Sequence, residues 1–176
     1  EIEHYMDRYG IRDSVRAAPV GIPSIVSKDK KTINSPPNLK GFNNIRFSDK
    51  LQEKLGIPVF LDRDVNFLLM NDMNKLKIDN TKTVLGFYVG TGFGNAICIN
   101  GKLYAGKNGA AGELGHIPLY DVDEECTCGN IGCSETRCSG KRLEYLAERY
   151  FPDVSIREVF KYHGNSPIIL KFVRDL

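Results

Sequence analysis

One imidazole and three thiols fall within a short stretch of this chain: His116, Cys126, Cys128 and Cys133, in the order Gly-His-x9-Cys-x-Cys-Gly-Asn-Ile-Gly-Cys-Ser-Glu. That donor set can close a tetrahedral zinc site, and Gly129 and Gly132 permit the tight backbone turn between the thiols. The residues therefore predict a structural Zn²⁺ on His116, Cys126, Cys128 and Cys133. Glu113 and Glu135 bracket the array. Neither is needed as a fifth ligand, and carboxylates at the two ends of a metal-closed loop suit a substrate site that the metal holds in shape. The bland alternative for each is a solvated surface charge, the usual fate of glutamate. A histidine that gives one ring nitrogen to a metal is fixed in tautomer and has the other free to face a substrate oxygen. Each glutamate can accept from vicinal hydroxyls, and buried acceptors reject an analogue that lacks them.

Two further clusters have chemical content. Gly90-Thr91-Gly92-Phe93-Gly94 lies between two apolar strands. Its glycines let backbone N–H groups converge on an anion, and the Thr91 hydroxyl adds a donor, so a nucleotide phosphate is a sensible guest at Gly90, Thr91, Gly92 and Gly94. A plain glycine-rich turn explains the segment equally well, because no Gly-Lys-Ser/Thr follows and the next element is a strand. Asp62-Arg63-Asp64-Val65-Asn66 falls where a strand gives way to a helix. A carboxylate there can take a proton from a sugar hydroxyl as that hydroxyl attacks a phosphoryl group, and position favours Asp64. The competing role for Asp64 is that of helix N-cap.

The elements that must position these residues alternate between strand and helix. Ile2, Tyr5, Met6 and Tyr9 have helical spacing, and Val15–Val20 leads into a turn at Gly21-Ile22-Pro23-Ser24. Ser48 or Asp49 can cap a helix with Leu51 and Leu55 on its apolar side, ended by Gly56 and followed by a strand over Ile57–Leu61. Asp64 opens the next helix, with Val65, Leu68, Leu69, Met73 and Leu76 on one face. Thr83–Val89 and Asn95–Ile99 read as strands, and Asn100-Gly101 as a hairpin turn before Lys102–Tyr104. Leu143, Leu146, Ala147 and Tyr150 mark a helix, and Ser155-Ile156-Arg157-Glu158 is a capping box that starts another.

Composition excludes several classes. The 176 residues are 41% apolar with a net charge of +2, enough for one ordinary core or two small ones sharing an interface. Lys and Arg are spread along the chain and form no stripe that would track a phosphodiester backbone, so nucleic acid is not an expected partner. No apolar run reaches the roughly 20 residues that span a bilayer, and no leader is evident at Glu1-Ile2-Glu3-His4-Tyr5. A cytoplasmic location with no membrane partner is the default expectation. Five cysteines, three of them crowded together, argue for thiolates kept for metal and against a secreted disulfide framework.

Taken in order, Gly90-Thr91-Gly92-Phe93-Gly94, Asn100-Gly101-Lys102-Leu103-Tyr104-Ala105-Gly106, Gly109-Ala110-Ala111-Gly112-Glu113-Leu114-Gly115-His116 and Cys126-Thr127-Cys128-Gly129-Asn130-Ile131-Gly132-Cys133-Ser134-Glu135 resemble the signature of the ROK family of sugar kinases and repressors. The resemblance implies an α/β, actin-like ATPase fold, ribonuclease H-like and related to hexokinase, with two lobes and the sugar between them. Residues 1–80 would belong to the smaller N-terminal lobe with the catalytic aspartate. Residues 81–176 would belong to the larger lobe with the phosphate hairpin, the sugar-binding glutamates and the zinc loop. By the same resemblance Asp64 would be the catalytic base and would also contact the sugar, Glu113, His116 and Glu135 would hydrogen-bond sugar hydroxyls, and Asn38 and Arg63 would be further sugar contacts.

The chain departs from the family pattern in informative places. Sugar kinases of the family usually carry Glu-Asn-Asp where this chain has Asp62-Arg63-Asp64, so a neutral amide becomes a cation with donors only. Ser24 stands where the family's Gly-x-Pro-Gly turn has its last glycine. Together with Ser27-Lys28-Asp29-Lys30-Lys31-Thr32 and Pro37-Asn38-Leu39, Arg63-Asp64-Val65-Asn66 resembles the allose kinase branch. The resemblance then implies ATP-dependent phosphorylation of an aldohexose on its 6-hydroxyl, with ATP and Mg²⁺ as cosubstrates and a homodimer as the assembly. The Asp-x-Gly-x-Thr phosphate loop and the glycine-rich adenosine segment of family kinases are not in the sequence, which matches the central portion of such a kinase. Two rivals stand beside this reading: a sugar-sensing ROK repressor, whose helix-turn-helix would lie outside this sequence, and a zinc-stapled structural module with no ligand site.

Overall fold

The computed structural model describes residues 1–34, 36, 39, 41–163, 167, 171 and 174. The chain divides into two compact units, Glu1–Gly86 with Ala96–Gly112 and Phe87–Asn95 with Glu113–Leu176. The chain changes unit inside two successive strands and again at Gly112, so each unit is assembled from two stretches of sequence.

The first unit contains α1 (Ile2–Arg8), β1 (Ala18–Ile22), β2 (Ile25–Val26), β3 (Ile33–Asn34), α2 (Phe47–Leu55), β4 (Val59–Arg63) and α3 (Asp64–Lys75). β1 and β4 pair in parallel, from Ala18 opposite Val59 to Ile22 opposite Arg63. Parallel neighbours need a crossover, and the intervening chain with α2 supplies it. Met6, Ile22, Val26, Ile33, Leu55, Val59 and Leu61 form the core, with Leu39, Phe47, Leu51 and Ile57 against it.

Several local expectations shift by a few residues. The segment read as a turn at Gly21-Ile22 is the end of β1, and the strand expected at Ile57–Leu61 runs two residues later, to Arg63. Neither Ser48 nor Asp49 caps α2, which starts at Phe47 after Arg46. Ser48 is buried and its hydroxyl donates to the Val59 carbonyl at 2.7 Å, while Asp49 pairs with Arg46 and Lys31. The helix does end at Gly56, in the left-handed conformation at φ 69° that glycine adopts without a Cβ penalty.

α3 buries Val65, Asn66, Leu69 and Met73, whereas Leu68 and Leu76 are exposed. Its start lies close over β1: a Cβ on Gly21 would come within 3.2 Å of the Asp64 Cα. Glycine at that strand position lets the helix N-terminus approach the strand.

β5 (Thr83–Val89), β6 (Phe93–Ile99) and β7 (Lys102–Leu103) form one sheet in that order. Asn100 and Gly101 turn between β6 and β7 with φ of 49° and 74°, the all-positive pair that suits a two-residue hairpin. The second unit continues with α4 (Glu135–Cys138), α5 (Gly140–Tyr150) and α6 (Ile156–His163). Its helical core is Leu146, Ala147, Phe151 and Val159. The Ser139 hydroxyl oxygen caps α5 by accepting from the Arg142 N–H, and Ser155 and Glu158 close the expected capping box before α6.

Candidate active site and metal centre

The metal-ligand atoms converge from three local structures. A single 3-10 turn at Leu114–His116 presents the imidazole, with the His116 N–H donating to the Glu113 carbonyl at 3.0 Å. Cys126 and Cys128 lie on a turn closed by Cys126 N–H to Asn130 O at 2.8 Å and Gly129 N–H to Cys126 O at 2.9 Å. Cys133 follows Gly132, whose φ is 79° and whose Cα faces the Val122 carbonyl so closely that a methyl there would collide with it. Gly129 likewise sits at φ 90°, so both turn positions favour glycine, as the spacing suggested.

The four donor atoms lie within 4.8 Å of one another. Cys128 Sγ and Cys133 Sγ are 3.7 Å apart, and Cys126 Sγ is 3.7 Å from His116 Nδ1. A tetrahedral site with zinc–sulfur bonds of about 2.3 Å has sulfur–sulfur edges of about 3.8 Å, so the observed spacing fits such an ion. Burial pushes the Cys133 thiol up to about 12, and the neighbouring Cys128 and Cys126 sulfurs add to the effect. Cys128 moves the other way: burial opposes ionisation, but hydrogen bonds from the Asn130 backbone and the adjacent thiols outweigh it. A divalent cation supplies the compensation that lets all three sulfurs act as thiolates. Cys98 is buried in β6 and Cys138 is exposed at the end of α4, and neither belongs to the cluster.

The second-unit carboxylates flank this centre. His116 Nδ1 faces the sulfurs while Nε2 stands 3.7 Å from Glu113 Oε2, so the two ring nitrogens are divided between cluster and carboxylate. Glu135 opens α4, and its Oε2 accepts the Phe93 N–H at 2.8 Å while Oε1 lies 4.0 Å from Cys126 Sγ. The glycine-rich hairpin is therefore built around this side chain: a methyl on Gly92 would strike the Glu135 carboxylate. Gly90 is held on its other side, where its carbonyl accepts the Gly140 N–H at 2.7 Å. The hairpin, the metal cluster, Glu113 and Glu135 are all parts of one unit.

In the first unit Asp64 is not the N-cap of α3. Arg63 holds that position with extended backbone and makes no side-chain capping bond, and Asp64 is the first helical residue. Its carboxylate is exposed and its Oδ1 accepts from the next N–H, that of Val65, at 2.8 Å. Arg63 is buried, and its guanidinium donates to the carbonyl of Ala111 at 2.6 Å and to that of Gly112 at 3.4 Å. Asn38 lies outside the described residues. Asp62, Asn66 and Lys30 were not assigned roles from sequence. Asp62 Oδ1 accepts from Arg63 N–H at 2.8 Å and Asn66 Nδ2 at 2.6 Å, and Oδ2 pairs with Lys30 Nζ at 2.7 Å. The only sequence signal was the Asp-x-x-x-Asn spacing, which places both side chains at one helix start.

A family model described as ROK family matches residues 2–175. This chain belongs to the ROK family. A glucokinase from Halalkalibacterium halodurans is 35% identical over 129 residues, covering 73% of this chain and 39% of the glucokinase. A xylose repressor from Caldicellulosiruptor bescii is 33% identical over 143 residues, covering 76% of this chain and 36% of the repressor. The chain thus spans well under half the length of these ROK relatives. The crystal structure of a ROK glucokinase from Streptomyces griseus, in complex with glucose and AMPPNP, superposes with a TM-score of 0.80 at 24% identity, over 96% of this chain and 64% of that one. The fold is the actin-like ATPase fold of the family, present in part and carrying a candidate metal cluster.

Proposed function

We propose that the full-length protein is an ATP-dependent sugar kinase that phosphorylates the 6-hydroxyl of an aldohexose, with D-allose first among the candidates. The observation that carries this reading is Asp64: an exposed carboxylate at the first position of α3, at the corner where β4 gives way to the helix, with one oxygen on the adjacent Val65 N–H. A carboxylate so placed can accept a proton from a substrate hydroxyl. In the proposed reaction the Asp64 carboxylate takes the hydroxyl proton, the sugar oxygen bonds to the γ-phosphorus of ATP, and the bond to the β,γ-bridging oxygen breaks to release ADP.

The remaining residues take roles consistent with their places. Glu113, His116 and Glu135 hydrogen-bond the sugar hydroxyls, and Asn38 and Arg63 are further proposed sugar contacts. A sugar hydroxyl would offer Glu135 a donor in exchange for the Phe93 N–H. Gly90, Thr91, Gly92 and Gly94 receive phosphate of the Mg²⁺-bound nucleotide. His116, Cys126, Cys128 and Cys133 would hold a structural Zn²⁺, which supplies rigidity to the loop between the two glutamates. Residues 1–80 and 81–176 correspond to the smaller and larger lobes, and a homodimer is the proposed assembly.

The similarity to a xylose repressor favours a second reading, sugar sensing without turnover. A repressor needs no base, and the setting of Asp64 supports the kinase. The test is a panel of aldohexoses, including allose, glucose, N-acetylglucosamine and N-acetylmannosamine, offered with ATP and Mg²⁺ to the full-length protein and scored for sugar phosphate. Phosphorylation of at least one, led by allose, is expected. No sugar phosphate from any of them would leave the sensor reading.

A further inference from the structure

We infer that Lys30, on the loop between β2 and β3, is a positioning residue for Asp64 and acts through Asp62. The inference rests on the reading of Asp64 as the base. Three observations converge on it. First, Lys30 Nζ donates to Asp62 Oδ2 at 2.7 Å across 32 positions of sequence, and the Asp62 side chain is mostly buried while that of Lys30 is about a third exposed, so solvent screens the pair less than a fully surface one. Second, the other oxygen of the same carboxylate accepts from the Arg63 N–H and from Asn66 Nδ2, the residues on either side of Asp64 and Val65. Asn66 is buried, so this hydrogen bond fixes the first turn of α3 from within. Asp62 is therefore a clamp on the strand-to-helix corner, and Lys30 is the cation that holds the clamp in its orientation.

Third, the loop delivers Lys30 at a cost to itself. Its φ is 60°, a conformation that Gly or Asn would occupy with less strain. The backbone there is pinned on both sides: the Lys30 N–H donates to Ser27 O at 2.9 Å, and Lys30 O accepts the Leu61 N–H at 3.1 Å. The loop is also closed by Ser27, whose hydroxyl donates to Asp29 and accepts the Thr32 N–H. A long cation in a strained position, with its ammonium delivered to one carboxylate oxygen, is the arrangement expected where the side chain itself is required.

The experiment compares Lys30→Met, Lys30→Arg, Asp62→Asn and the double variant Lys30→Met/Asp62→Asn in the full-length protein, by sugar kinetics and by amide hydrogen exchange. In Lys30→Met, kcat is expected to fall about 10-fold with sugar KM within about two-fold, because the base is displaced while the sugar contacts remain. Lys30→Arg should recover at least about half of the lost turnover, and the double variant should be no worse than the poorer single one, as coupled partners behave. Exchange at residues 63–66 should quicken at least about 10-fold in Lys30→Met. Unchanged exchange there, or kcat within about two-fold of wild type, overturns the inference. A wild-type protein that turns over no sugar, while Lys30→Met still exchanges faster at the corner, sinks the kinase reading alone and leaves the clamp standing.

Discussion

Asp64 decides between two chemistries because a carboxylate can do what its amide cannot. Asp64→Asn keeps the size of the side chain and loses the negative charge near the helix N-terminus, which at this exposed position costs a few tenths of a kcal/mol. If Asp64 accepts the hydroxyl proton, the same change lowers turnover of the full-length protein by about 10² to 10⁴ with sugar binding nearly intact. Calorimetric sugar binding alongside kcat separates the two, and a variant keeping more than about a tenth of wild-type turnover would remove Asp64 from the chemistry. The residues with distinctive chemistry were legible in the sequence because their types are scarce and their spacing is short: His116 and the three cysteines do meet. Lys30 was not legible. Its partner is 32 positions away and nothing in a lysine among lysines marks it, since the pairing exists only once β1 and β4 lie side by side. Asn66 was hidden for a related reason, being a polar residue on the buried side of α3 where a hydrophobic pattern has no place for it.

At the scale of elements, the metal loop and the glycine contacts make separate predictions. One equivalent of zinc per chain is expected in freshly purified, reduced protein, and Cys133→Ser should retain less than about a fifth of it while quickening exchange across residues 113–135. Cys98→Ser and Cys138→Ser should leave zinc content at the wild-type level, because neither sulfur belongs to the cluster. Elemental analysis reads all three. Acidification should release the metal, since protons compete for the thiolates and the imidazole, and Cys133 holds its proton up to about 12 when uncompensated. Gly140→Ala tests the seat of the hairpin: a methyl at the start of α5 would run into the Gly90 carbonyl oxygen, which is backbone and cannot swing away. Thermal or denaturant unfolding should show a loss of about 1–3 kcal/mol, against the slight gain that Ala in place of Gly gives in an unobstructed helix. Strand and helix types followed from periodicity, but boundaries slipped where tertiary bonds outvote local signals. Ser48 looks like a cap and instead spends its hydroxyl on Val59, and Leu68 and Leu76 share the α3 pattern with Val65 and Leu69 yet remain exposed.

For the molecule as a whole, interleaving is the property with the widest reach. Each unit takes two separate stretches of chain, so a single cut cannot divide them. Residues 1–80 and 81–176, expressed apart, should each be insoluble or lack the dispersed, slow-exchanging amide spectrum of a packed core; two independently folded halves would contradict the division. The overall fold class was legible from motif order, whereas the interleaving was not, because it depends on where within β5 and β6 the packing changes partner, and a strand looks the same on either side of that point. During synthesis, this arrangement sets a schedule. Residues 87–95 leave the ribosome before anything they will pack against in their own unit has been made, and the Gly90 carbonyl must wait for the amide of Gly140, fifty residues later. At roughly 5–20 residues per second that is a delay of several seconds in which the turn between β5 and β6 lacks its partners at Glu135 and Gly140. The hairpin proposed to bind phosphate thus waits several seconds for its final partners, and slowing translation beyond residue 95 should lower soluble yield more than slowing it before residue 80.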